Sequence, residues 1–249
     1  MTSRWTGRRL NAFSAFSALL ERLPSQCHVC RAWPSRPLCD ACVARFAPPL
    51  PRCHSCALPV FGGALQCGEC VRHPPPLDRC LAAFSYVWPW PDCIAQFKFR
   101  SQTGWATPFA TLVRSTPWVE PALERCDMVL PMPLSGARLR ERGFNQALEL
   151  ARRLAPRKCD ATLLLRTRDT EAQSGLARVQ RLRNLHGAFA LEPLRAHELI
   201  GRHVVVVDDV MTSGASLFAA AAVLRSAGAA HITAIVLART DAPNAVTAS

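Results

Sequence analysis

Apolar runs alternate along the chain with polar, small-residue stretches, and that alternation predicts a rhythm of strands and helices. The clearest run is Val204 to Val207, four valines in succession. An uninterrupted block of β-branched residues is how a strand buried on both faces of a parallel sheet reads. It ends in Asp208 and Asp209, adjacent carboxylates that repel each other and so belong outside the core, at the carboxyl end of the strand. A hydroxyl-rich turn follows, Thr212-Ser213-Gly214-Ala215-Ser216. Leu217 to Ser226 then predicts an Ala- and Leu-rich helix, with Gly228 at its C-terminal cap. Leu81–Val87, Asp127–Leu130, Leu163–Leu165 and His231–Leu237 predict further strands. Ile94–Arg100 reads as a helix with Phe97 in the core and Lys98 in water. A helix over 144–155 carries Phe144, Leu148, Ala151 and Leu154/Ala155 on one face. Strands alternating with helices imply an α/β fold with a parallel sheet flanked by helices.

The two ends and one internal break divide the chain. Leu10, Phe13, Phe16, Leu20 and Leu23 form a helical stripe, so 1–24 is expected to be an N-terminal amphipathic helix. Asn11, Ser14 and Ser17 interrupt its apolar segment and no small-residue cleavage site follows, which argues against a signal peptide. No stretch approaches the length of a membrane span, and a cytoplasmic location is expected. His73-Pro74-Pro75-Pro76 makes a stiff linker between a small Cys-rich domain, 25–73, and a main domain, 78–240. Residues 241–249 are expected to be a disordered tail.

Cysteine spacing adds a metal to the picture. Eight of the 12 cysteines form four C-x-x-C pairs: Cys27/Cys30, Cys39/Cys42, Cys53/Cys56 and Cys67/Cys70. Each pair places two thiolates on one tight turn, which is half of a tetrahedral zinc site. Four pairs therefore make a double zinc ribbon. Sequential pairing is preferred, since the spacers are only eight and ten residues, although a cross-braced pairing fits the spacing too. With no export signal, disulfides are disfavoured. Four thiolates leave no open position on the metal, so the role is structural, and so small a segment needs a metal to fold.

Charge and motif narrow the chemistry. Lys+Arg total 30 against 18 Asp+Glu, a formal +12 with a pI near 9.7, which favours polyanionic partners. Phe97-Lys98-Phe99-Arg100 interleaves aromatic and basic residues, a pattern that can bind nucleic acid by stacking and phosphate contact. Neither G-x-x-x-x-G-K-[ST] nor G-x-G-x-x-G occurs, which removes the nucleoside-triphosphatase and dinucleotide classes. A strand, a turn of small residues and a helix start make an anion site. Two acids beside a phosphate cradle make sense once a sugar lies between them. The stretch 204–216 resembles the phosphoribosyl-pyrophosphate (PRPP) loop of type I phosphoribosyltransferases. That resemblance gives Asp208 and Asp209 the ribose 2′- and 3′-hydroxyls, and Thr212, Ser213, Gly214, Ala215 and Ser216 the 5′-phosphate.

Further segments extend the likeness from Cys27 to Arg239. They are the C-x-x-C ribbon, Phe97 to Arg100, Pro131-Met132-Pro133-Leu134, the run from Arg138 through Arg142-Gly143-Phe144-Asn145-Gln146, and Thr170, Gln173, Gly175, Leu176, Arg181 and Asn184 ahead of the acid pair. Together these resemble the ComF family of competence proteins. His186 stands where that family commonly has Arg. The resemblance implies a type I phosphoribosyltransferase fold behind an N-terminal zinc ribbon, with Mg²⁺ accompanying PRPP. Catalysis would rest on Asp208 and Asp209. Arg138 and Arg142 would meet pyrophosphate, and Arg166, Arg168 or Arg181 would close over it. Lys98, Asn145, Gln146 and Gln173 are substrate candidates, although Asn145 and Gln146 equally suit helix caps. The resemblance also implies a link to DNA uptake, with single-stranded DNA and a DNA-uptake helicase or recombination protein as partners. Two readings follow: a PRPP-using enzyme of unknown acceptor, or a ligand-sensing or nucleic-acid-binding protein on the same scaffold.

Overall fold

The computed structural model describes residues 25–99, 102–167 and 187–241. It parts into two compact units, Met1–Arg45 and Phe46–Ser249. The boundary drawn from sequence at the proline run differs from this division, because the second pair of C-x-x-C turns lies in the larger unit.

The larger unit is built on a parallel sheet. Its strands are β1 (Arg79–Ser85), β2 (Met128–Pro131), β5 (His203–Met211) and β6 (His231–Arg239), in the spatial order β1-β6-β5-β2. β6 is central and apolar, and every residue after His231 is buried. β5 lies beside it with Val206 opposite Ala234, and β2 adds the outer edge with Leu130 opposite Val206. Pro131 is tolerated because β2 is an edge strand. Period-2 alternation sends Val204 and Val206 to a core shared with Leu217, Ala221 and Leu224 of the helix that follows β5.

Helices of the larger unit flank the sheet. In chain order the described helices of the protein are α1 (Asp40–Phe46), α2 (Gly68–Arg72), α3 (Trp90–Phe99), α4 (Ala106–Ser115), α5 (Val119–Arg125), α6 (Gly136–Arg142), α7 (Gln146–Leu154) and α8 (Ala215–Ser226). α4 and α7 pack on each other, α7 against β5 and β2, and α4 against β6 and β1. No described helix is long and apolar enough to cross a membrane.

Four of the elements expected from sequence take a different form in the structure. β5 does not stop at the acid pair but runs on to Met211. Leu164–Arg166 is a strand, β3, but it pairs antiparallel with β4 (Phe189–Leu191) in a separate two-stranded sheet. The polar run after Pro133 is helical: Ser135 accepts the Arg138 N–H and opens α6. The helix expected from Phe144 begins at Gln146. The expected N-terminal helix, the tail beyond Asp241, and Arg100, Arg168, Gln173 and Arg181 lie outside the described residues.

Candidate functional site

The carboxyl ends of β5 and β2 and the start of α8 enclose a cleft of about 420 Å³. In open α/β sheets this is the end where ligands bind. Asp208 and Asp209 lie on its wall with the turn 212–216, Lys98, Arg138 and Arg142. The turn can close only because residue 214 is glycine. Gly214 has φ +80°, and a Cβ there would lie 2.4 Å from Met211 Cε and 2.7 Å from Phe218 Cζ. The Ala215 N–H donates to Ser213 Oγ at 3.3 Å, which pins the step into α8. The first N–H groups of a helix have no partner within it, and with the helix dipole they favour an anion here.

The acid pair is more buried than repulsion alone would allow, and a cation explains why. Asp209 is only 8% exposed. Lys98 Nζ lies 2.9 Å from Asp209 Oδ2, with both side chains largely out of solvent. This corrects two expectations, an acid pair outside the core and Lys98 in water. α3 turns Lys98 inward beside fully buried Phe97, and the pairing neutralises one carboxylate of the two. Asp208 Oδ1 accepts the Asp209 N–H at 2.8 Å, and Asp209 Oδ1 accepts the Val210 N–H at 2.6 Å. Burial, then the neighbouring Asp209 charge, push the Asp208 carboxyl up to about 7.

The remaining candidates divide between the cleft and its frame. Asn145 caps α7, its Oδ1 accepting from Ala147 N at 2.9 Å and Leu148 N at 3.3 Å. Its Nδ2 donates to the Met132 carbonyl at 3.0 Å, tying the cap to the end of β2. Gln146 is 1% exposed; its Oε1 accepts from Arg142 Nη1 at 3.1 Å and its Nε2 donates to the Lys98 carbonyl at 3.4 Å. It links the arginine at the end of α6 to the lysine of α3. The Arg142 guanidinium lies 5.2 Å from the centre of the exposed Phe99 ring. Arg138 lines the cleft. Arg166 lines it too and sits 5.4 Å over Phe189.

One residue that the sequence reading passed over lies directly beneath the turn. Arg239 ends β6 and is only 4% exposed. Its Nη1 donates to the carbonyls of Met211 at 3.1 Å, Thr240 at 2.6 Å and Thr212, and its Nε donates to the Cys56 carbonyl at 2.8 Å. A charged residue closing an otherwise apolar strand was the available signal.

The cysteines assemble as two sets of four, Cys27/Cys30/Cys39/Cys42 and Cys53/Cys56/Cys67/Cys70, each with its sulfurs within 4.8 Å of one another. This is the sequential pairing. The Sγ separations are 3.9 Å for Cys27–Cys42, 3.6 Å for Cys30–Cys39 and 3.7 Å for Cys56–Cys67. A tetrahedral zinc with bonds of about 2.3 Å separates its sulfurs by about 3.8 Å, so both sets suit it. Burial and local hydrogen bonds move the thiols apart in acidity. Burial raises Cys27, but backbone N–H donors led by Cys30 outweigh it and bring the thiol down to about 6. Burial and the charge of Cys53 push Cys56 up to about 11. A divalent cation would let all four thiolates form together.

A parallel sheet flanked by helices, with an acid pair and a glycine-closed turn at its carboxyl end, is the frame of a phosphoribosyltransferase-type domain. The phosphoribosyl transferase domain family matches residues 139–246. DNA utilization protein YhgH of Salmonella typhimurium is 33% identical over 233 residues, 88% of this chain and 98% of that protein. Competence protein F of Haemophilus influenzae is 31% identical over 210 residues, covering 81% and 90%. Competence protein ComFC of Bacillus subtilis is 29% identical over 149 residues, 59% of each chain. The chain belongs to the ComF family, with a phosphoribosyltransferase-type domain and a Cys-rich N-terminal region.

Proposed function

We propose that the cleft binds PRPP with Mg²⁺. The observation that supports this most is the union of Asp208, Asp209 and the 212–216 turn in one cavity, with Arg138, Arg142 and Arg166 on its walls. In this reading the turn and the start of α8 hold the 5′-phosphate. The carboxylates accept from the ribose hydroxyls, and the arginines meet the pyrophosphate. Asp208 and Asp209 would also orient Mg²⁺, which would supply charge neutralisation for the leaving pyrophosphate. The chemistry is pentosyl transfer. The C1–O bond to pyrophosphate breaks, a bond from C1 to a nitrogen nucleophile forms, and the nucleophile's proton passes to water. Guanidinium groups placed where charge develops on the leaving group favour this step. Lys98 keeps the buried Asp209 neutralised and oriented. The two cysteine sets hold one structural zinc each. The test is pyrophosphate release from PRPP in the presence of each nucleobase in turn. Release stimulated by one base supports a transferase and names its acceptor. Binding without release leaves a sensor.

A specific feature favours nucleic acid as a second ligand. Phe99, 61% exposed, lies against Arg142 at the cleft rim, on a chain of formal charge +12. Stacking on Phe99 with phosphate contact by arginine suits single-stranded DNA. Relatives named for DNA utilization and competence agree with that use. In this reading the chain acts in the cytoplasm, beside a DNA-uptake helicase or recombination protein. Affinity for single-stranded DNA should then fall steeply with salt; a flat dependence would refute the electrostatic reading.

A further inference from the structure

The second cysteine set is joined to the anion turn by two independent bridges. The first is Arg239. Its guanidinium spans from the Cys56 carbonyl, inside the C-x-x-C turn, to the carbonyls of Met211 and Thr212, which lead into the 212–216 turn. All its hydrogen-bond partners among the described residues are oxygens of carbonyls or of the Thr240 hydroxyl. The second bridge is Cys80, on β1. Its N–H donates to the His54 carbonyl at 2.6 Å, and its Sγ lies 3.6 Å from Met211 Sδ. The far end of Met211 packs under Gly214, at the point where the turn is tightest. Cys53, Cys56 and Cys70 share one hydrophobic core with Met211, Leu217 and Phe218. The first cysteine set lies in the other compact unit.

We propose that Arg239 is a positioning residue through which metal binding at Cys53, Cys56, Cys67 and Cys70 sets the anion turn and raises its affinity for a sugar phosphate. Four thiolates fixed by one cation hold the 53–56 turn, and with it the Cys56 and His54 carbonyls, in place. Arg239 and Cys80 carry that constraint to Met211, Thr212 and Gly214. A guanidinium suits the task because its planar fork holds several carbonyl directions at once, which a lysine ammonium does not. Emptying the second set frees the Cys56 carbonyl and loosens the turn, and emptying the first set leaves the turn unchanged. The coupling is reciprocal, so an occupied turn tightens metal binding at the second set alone. This rests on the phosphoribosyl reading of the turn, but its structural half is measurable without any ligand.

The test uses full-length protein in three forms: Cys67→Ser with Cys70→Ser, Cys30→Ser with Cys39→Ser, and Arg239→Lys. Zinc content is measured first, then amide exchange across 212–216, then affinity for ribose 5-phosphate by calorimetry. The second-set variant and Arg239→Lys should exchange 212–216 at least about tenfold faster and bind ribose 5-phosphate about tenfold more weakly, some 1.4 kcal/mol. Arg239→Lys should keep the wild-type zinc content, which separates a positioning role from loss of the fold. The first-set variant should match wild type in both readouts. Unchanged exchange in the second-set variant after its zinc has fallen by one per chain overturns the proposal. Accelerated exchange together with no ribose 5-phosphate binding by wild type upholds the strut and refutes the phosphoribosyl reading instead.

Discussion

Gly214→Ala is the substitution whose effect the structure specifies most closely. Residue 214 adopts φ +80°, in the left-handed region, where any Cβ costs about 1–2 kcal/mol. The added methyl would also meet Met211 Cε at 2.4 Å and the Phe218 ring at 2.7 and 2.8 Å, all closer than real carbon contacts. Neither neighbour retreats easily. Met211 is 2% exposed and held against Cys80, and Phe218 is 6% exposed within the α8 core. Overpacking of this kind costs about 1–3 kcal/mol. The combined penalty is about 2–5 kcal/mol, which for a chain of this size lowers Tm by roughly 4–20 °C. Thermal denaturation by circular dichroism reads this directly, and calorimetry with ribose 5-phosphate reads the site. Should the turn relax to spare the core, the Tm change shrinks and phosphate affinity falls at least about tenfold. A variant within about 1 °C of wild type with unchanged affinity would refute the reasoning, because the methyl must displace either the core or the turn.

Two further outcomes follow from the buried charges. Lys98→Met removes the partner of Asp209 and leaves two carboxylates adjacent without a cation, so stability should drop by about 3–5 kcal/mol in denaturant titration. An unchanged midpoint would show that the pair is not held together by Lys98. The Asp208 carboxyl is raised from an ordinary 3.8 to about 7, so the folded chain keeps a proton that the unfolded chain releases. Stability from this group is therefore fullest below about pH 4 and is lost as pH rises through about 7. The Tm advantage of Asp208→Asn over wild type should widen between pH 5 and pH 8, and a constant gap would contradict the burial of Asp208.

What could be read in the sequence and what could not separate along a physical line. Val204–Val207 announced a strand buried on both faces, and all four valines are buried, in a strand paired with β2 and with β6. The C-x-x-C spacings announced two four-sulfur groups, because a tight turn fixes the separation of its own thiols. Local chemistry of this kind survives without knowledge of the fold. Lys98 was misplaced because its partner, Asp209, is over 100 residues away, and only the folded chain brings the two together. The strand over 164–166 was found but its sheet was not, since three residues carry no information on pairing direction. Arg239 escaped because a single charged residue at a strand end usually reaches solvent; here it turns under the anion turn. The larger unit also takes in the second cysteine set, which the proline run seemed from sequence to set apart.

The central claim is that Asp208, Asp209 and the 212–216 turn form a PRPP site. The most direct measurement is calorimetric titration of PRPP with Mg²⁺ into wild type and into Asp208→Asn with Asp209→Asn. The account predicts saturable binding by wild type and its loss in the double variant, with the fold retained by circular dichroism. Equal affinity in the two proteins would contradict it.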